Sequence, residues 1–147
     1  MTLLNTHGIR RSLPEGEISY SMIYEAMPFD DMVVTLDISG KNLLALVKHS
    51  LPLKEGRQLG VFAGVKISVD DKSNIKQVLI NNKPLKLNST YKIATIDFLI
   101  TGGDGFIFKD MKNYKDSNVP IRDFIVDYWN KNPANIAKGW QNIKVQK

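Results

Sequence analysis

Short aliphatic and β-branched runs, separated by turn residues with too little chain between them to hold a helix, limit this sequence most strongly. Residues 61–69 read as a strand whose second half alternates: Val65, Ile67 and Val69 on one face, Lys66 and Ser68 on the other. Residues 70–74 (DDKSN) form a turn cluster. Residues 75–80 make the next strand, and Asn81-Asn82 suits a tight turn with positive φ before Leu85. Strands at 32–38 and 91–96 and an edge strand within 140–145 complete the β inventory. Helices are expected at 18–27, capped by Ser19 or Ser21 and stopped by Pro28, and at 41–50, where Leu43, Leu44 and Val47 share a face that the lysines and Asn42 largely avoid. A third runs from Ile121 past Trp129, with Phe124, Ile125 and Tyr128 on its apolar stripe, and ends before Pro133. Residues 52–60 read as loop. Because strands cluster instead of alternating strictly with helices, the expected class is α+β, with a mixed or antiparallel sheet and about three helices, and not a doubly wound fold.

The 147 residues suit one domain spanning 1–147, and 43% hydrophobic with 24% charged residues excludes a disordered or fibrous chain. No cysteine is present, so disulfides and thiolate metal sites are excluded. The opening MTLLNTHGIRRSLPEG is not a signal peptide: it has no apolar core, and its arginines follow the short apolar stretch. No apolar run approaches the roughly 20 residues of a membrane span. Either the protein is cytoplasmic or an export signal lies outside this sequence. The net charge of +5 suits an anionic ligand, but the basic residues are dispersed and only Arg10-Arg11 are adjacent, which argues against a nucleic-acid partner.

Catalytic motifs are missing. There are two histidines, His7 and His49, and no HExxH, GxSxG, Walker or GxGxxG pattern. A dinuclear metal centre needs several His and Asp ligands, so no catalytic or metal-ligating residue is assigned, and His49 reads as a surface residue. Three weaker signals remain. Gly102-Gly103-Asp104-Gly105-Phe106 offers backbone that a ligand can approach closely and one carboxylate able to accept from two sugar hydroxyls; it reads equally as an ordinary turn. Phe29 after Pro28 and Phe98 at the end of a strand sit at element boundaries, where two rings can hold a flat heterocycle or simply join the core. Asn5 offers a donor and an acceptor in one plane and Arg10 a fork suited to phosphate; the alternative is an N-terminal strand and turn with a surface arginine.

The order of these signals carries more than each alone. Asn5…Gly8-Ile9-Arg10, Gly16 and Ile18, Pro28-Phe29, the strand-Gly40-helix unit, Tyr91, and Asp97-Phe98-Leu99…Gly102-Gly103-Asp104-Gly105-Phe106 together resemble the C-terminal domain of the 5′-nucleotidase family, over roughly positions 4 to 130. That family includes periplasmic UDP-sugar hydrolases and 2′,3′-cyclic-nucleotide phosphodiesterases. The resemblance implies a nucleoside- or nucleotide-binding domain with substrate-binding residues Asn5, Arg10, Phe29, Phe98, Gly102, Gly103 and Asp104. Phe29 and Phe98 would sandwich the base, Asp104 would take the ribose hydroxyls, Asn5 would contact base or ribose, and Arg10 would reach ribose and phosphate. It also implies a partner, a metallophosphoesterase domain that carries two divalent metal ions in the same full-length protein or another chain, and a periplasmic or extracellular location. The family commonly has Gly-Gly before Ile-Arg, where this chain has His7-Gly8. A further substrate arginine and part of the domain's first helix are expected upstream of the sequence given. The competing expectation is a non-catalytic interaction module, or an incomplete fragment without ligand binding of its own.

Overall fold

A computed structural model of the chain describes residues 1–15, 18–51, 58–72, 74–132 and 143–145. Two sheets and four helices, three of them of seven residues or more, make an α+β fold among these residues. The five-stranded sheet has the order β3-β1-β7-β2-β8: Gly60–Ala63, Thr2–Asn5, Thr90–Ile96, Met32–Ser39 and Lys112–Pro120. Within it β1 and β7 run parallel, with Thr2 opposite Ala94, and the other pairings are antiparallel. The smaller sheet has the order β6-β5-β4-β9: Lys83–Pro84, Ile75–Ile80, Val65–Val69 and Ile143–Val145. The helices are α1 (Tyr20–Ala26), α2 (Gly40–Ser50), α3 (Asp97–Ile100) and α4 (Ile121–Lys131).

The hairpin chemistry acts as the sequence indicates. Asp70 accepts from the backbone N–H groups of Lys72 (2.9 Å) and Asn74 (2.8 Å) and closes the β4–β5 turn. Asn81 and Asn82 adopt φ of 50° and 62°, the left-handed pair that a tight β5–β6 hairpin requires. The expected strand at 61–69 is two strands in two sheets. Gly64 divides it at φ +77°, which reverses the local path and sends β3 to pair with β1 and β4 with β5. Ser19 is the residue that caps α1, and Ser39 caps α2. The loop expected at 52–60 is described only at 58–60, the final strand only at 143–145, and Pro133 lies outside the described residues.

The core forms where α2 lays Leu43, Leu46 and Val47 against Leu3, Val34, Leu36, Ile38 and Ile93 of the large sheet. Three readings need correction. Asn42 is not off the buried face: it is 5% exposed, its amide donates to the Ile107 carbonyl (3.1 Å), and its carbonyl accepts from the Lys109 N–H (2.8 Å). On α4, Phe124 and Tyr128 are 50% and 45% exposed, so of the expected stripe Ile121 is buried and Ile125 and Trp129 are partly buried. Strand β8 was not visible in the sequence. Its residues are mostly polar and all but Pro120 are exposed, and Asn113 and Asn118 have positive φ, so no alternation marks it. Among the described residues no helix is long and apolar enough to cross a membrane.

Asn42 substitutes for a backbone partner between α2 and residues 107–109. Asn42→Leu keeps the branching of the side chain but removes both hydrogen bonds. The expected loss is about 1–3 kcal/mol, from two bonds of about 0.5–1.5 kcal/mol each, measured as a lower urea midpoint at unchanged slope.

Candidate functional site

Strand direction brings the candidate residues to one end of the large sheet. Because β1 and β7 are parallel, Asn5 at the end of β1 and Ile96 at the end of β7 emerge on the same side. Strand β2 is antiparallel to β7 with Val33 opposite Ile96, so the chain that enters it, residues 28–31, arrives there too. Asp97 fastens this corner: its Oδ1 accepts from the N–H of Met32 (3.0 Å) and from that of Phe98 (2.8 Å). Phe98 therefore lies in α3, two residues past the last residue of the strand at whose end the sequence placed it.

After α3 the chain makes a left-handed turn. Gly102, Asp104 and Gly105 have φ of 96°, 50° and 75°, and the N–H groups of Gly105 and Phe106 donate back to the carbonyls of Gly102 and Gly103, both at 3.1 Å. At Gly103 a Cβ would lie 2.3 Å from the Phe98 ring, so the ring rests against bare backbone and only glycine fits beneath it. Asp104 points its carboxylate at the N-terminal segment. Asn5, itself 5% exposed, donates from Nδ2 to Asp104 Oδ2 at 2.7 Å, and His7 Nδ1 lies 3.4 Å from Oδ1. The Asp104 side chain remains 20% exposed. Opposite, the backbone N–H of Arg10 donates to the Ala26 carbonyl (2.7 Å), and the Arg10 guanidinium sits 5.5 Å from the centre of the Phe29 ring, a cation–π contact.

Phe29 and Phe98 are 44% and 41% exposed. Neither is a core residue; each presents apolar ring surface to solvent, held by Arg10 in one case and Gly103 in the other. Asn5, Ile9, Phe29, Asp31 and Ile96 line a shallow cleft of about 10 Å³. A second hollow, of about 350 Å³, lies behind the same turn, where Lys41, Asn42 and His49 of α2 face Gly105, Ile107, Lys109 and Asp110. Phe29 and the Asp31 carboxylate line the shallow cleft, while Phe98 and Asp104 are not among its lining residues; we locate the candidate site at this end of the sheet because Asn5 joins the cleft to Asp104.

The sequence reading missed three supporting residues. Arg122 of α4 is 4% exposed; its guanidinium donates to the carbonyls of Met27 (3.0 Å) and Phe29 and to the Asp30 carboxylate, and lies over the Tyr24 ring. It clamps the loop that carries Phe29, and nothing in the sequence distinguishes it from a surface arginine. His49 is half-buried and reaches Asp104, so it is not the free surface residue expected. Asp31 lines the cleft, and burial, with the neighbouring charges of Asp97 and Asp30, pushes its carboxyl above the ordinary Asp value against the opposing pull of Arg122.

With this geometry in place, comparison with known proteins is decisive. A family model described as "5′-nucleotidase, C-terminal domain" matches residues 1–110. The chain belongs to that family. An apyrase of Tabanus yao is 34% identical over 132 residues, 77% of this chain and 24% of its own length. Protein UshA of Escherichia coli is 32% identical over 106 residues, 71% of this chain and 19% of its own. A 5′-nucleotidase precursor from Thermus thermophilus shares the fold at a TM-score of 0.83 and 26% identity, covering 99% of this chain and 31% of that one. This 5′-nucleotidase C-terminal domain thus spans about a quarter of the length of the relatives it matches. Among its described residues no three His, Asp or Glu side chains gather at metal-ligand spacing.

The Asp31 shift has a signed consequence. A carboxyl raised in the folded state contributes its stability below its ordinary value of 3.8 and loses it as pH rises through the folded value. Asp31→Asn should melt above the wild type at neutral pH, and the gap should close as pH falls below about 3.8. A gap independent of pH contradicts the assignment.

Proposed function

We propose that this chain binds a nucleoside or nucleotide at the β1–β7–β2 end of the large sheet and presents its phosphate to a metal centre on another domain or chain. The observation that carries the reading is the pair of solvent-exposed rings, Phe29 and Phe98, at the same strand ends as the part-exposed Asp104 carboxylate. Exposed rings that strand ends and a glycine turn hold in place suit stacking of a flat base. A carboxylate whose second oxygen already accepts from Asn5 is oriented to accept ribose hydroxyls. Arg10, beside Phe29, supplies the cation for phosphate or ribose.

The cleft is too shallow to enclose a nucleotide. Closure by a second body fits both that shape and the fraction of the relatives' length that this chain covers. In the complete enzyme, a metallophosphoesterase domain with two divalent ions would activate water for attack on phosphorus, while this domain holds and orients the substrate. The family membership supports a periplasmic or extracellular hydrolase of the 5′-nucleotidase or UDP-sugar hydrolase type. The dispersed basic residues give no support to nucleic-acid binding.

Titration of AMP, adenosine and UDP-glucose into the chain tests the reading. Binding is expected to be weak, because two stacked faces must offset an association cost of about 4–15 kcal/mol. Phe29→Ala and Phe98→Ala should each weaken it about tenfold or more, since a stacked ring contributes about 1–3 kcal/mol. No binding by the wild type at millimolar ligand would favour a non-catalytic interaction module or an incomplete fragment.

A further inference from the structure

Both histidines of the chain meet Asp104, one at each end of the residue. His7 approaches the carboxylate from the exposed N-terminal segment. His49 approaches the backbone from α2, with Nε2 2.9 Å from the Asp104 carbonyl oxygen. A carbonyl only accepts, so Nε2 carries the proton in this contact. The His49 ring is itself fixed. It stands edge-on to Phe106, with ring centres 4.7 Å apart at 80°, and Phe106 is 1% exposed. Its Cε1 faces Gly105, where a Cβ would come within 3.3 Å, so the imidazole fills the space that glycine leaves open.

We propose that His49 is a positioning residue for the sugar-binding carboxylate. Asp104 holds a left-handed backbone (φ 50°) that an aspartate tolerates but does not favour. Two hydrogen bonds from different elements hold that conformation: Asn5 of β1 grips the side chain and His49 of α2 grips the peptide that follows it. Together they fix the direction of the free carboxylate lone pairs, so His49 acts on a bound ribose without touching it. This inference rests on the nucleoside reading above. It adds that discrimination for the 2′,3′-diol depends on a residue in the core helix behind the turn.

A pair of ligands separates this role from general stability. Adenosine and 2′,3′-dideoxyadenosine differ only in the two hydroxyls that Asp104 would bind. The wild type should prefer adenosine. His49→Ala should reduce that preference about fivefold and leave dideoxyadenosine affinity nearly unchanged. His49→Gln, whose amide nitrogen can donate from the Nε2 position, should retain the preference. Independently of ligand and of any variant's folding, nitrogen-15 NMR of the wild type should show the His49 ring protonated at Nε2. A ring protonated at Nδ1 alone overturns the inference, as does a His49→Ala variant that weakens both ligands equally or keeps the full preference. In those cases a wild-type preference for adenosine leaves the nucleoside reading standing. A wild type that binds both ligands equally overturns the diol reading and this inference together.

Discussion

The parallel pairing of β1 with β7 is the constraint on which the rest of the molecule depends. It makes two strands about 90 residues apart run the same way, with Thr2 opposite Ala94, so that both end at the same edge of the sheet. The Thr95 hydroxyl donates to the Leu3 carbonyl at 2.9 Å and fixes the alignment from a fully desolvated position. A slip of one residue would exchange the two faces of β1, exposing Leu3 and turning Asn5 away from Asp104. The hydrogen bond between those two residues spans 99 positions of sequence and exists only because of that register.

Around this edge the molecule separates rigidity from exposure. The polar side chains that set geometry are buried: Asn5, Asn42 and Arg122 are each 5% exposed or less, and each hydrogen-bonds groups distant in the chain. In a low-dielectric setting such bonds are stiff, and costly to leave unmade. The surfaces offered outward are apolar, the rings of Phe29 and Phe98. Arg122 secures the loop that carries the first ring, and Gly103 seats the second. Helix α2 backs the glycine turn through His49 and the segment that follows it through Asn42.

Local chemistry made much of the fold legible. The alternation of β4, the paired asparagines at 81 and 82 and the serine caps each impose geometry on their immediate neighbours, so they can be read in isolation. What escaped depends on partners distant in the chain. Strand β8 exists because β2 offers it a ladder, not because its own sequence favours one. Asn42 and His49 look like polar residues of a helix surface until the segment after the glycine turn packs over them. The single strand read at 61–69 failed at Gly64, whose positive φ a hydrophobicity pattern does not reveal. Of the candidate site, the residue types and their order were visible. The contacts of Asn5 with Asp104, of Arg10 with Phe29 and of Phe98 with Gly103 are tertiary and needed the structure.

Intermolecular nuclear Overhauser effects between bound adenosine and the chain test the central claim most directly. The account predicts that the adenine protons contact the ring protons of both Phe29 and Phe98, and that the ribose protons lie near residues 102–105. Contacts confined to one ring, or ligand protons found instead in the hollow between α2 and Lys109, would contradict it.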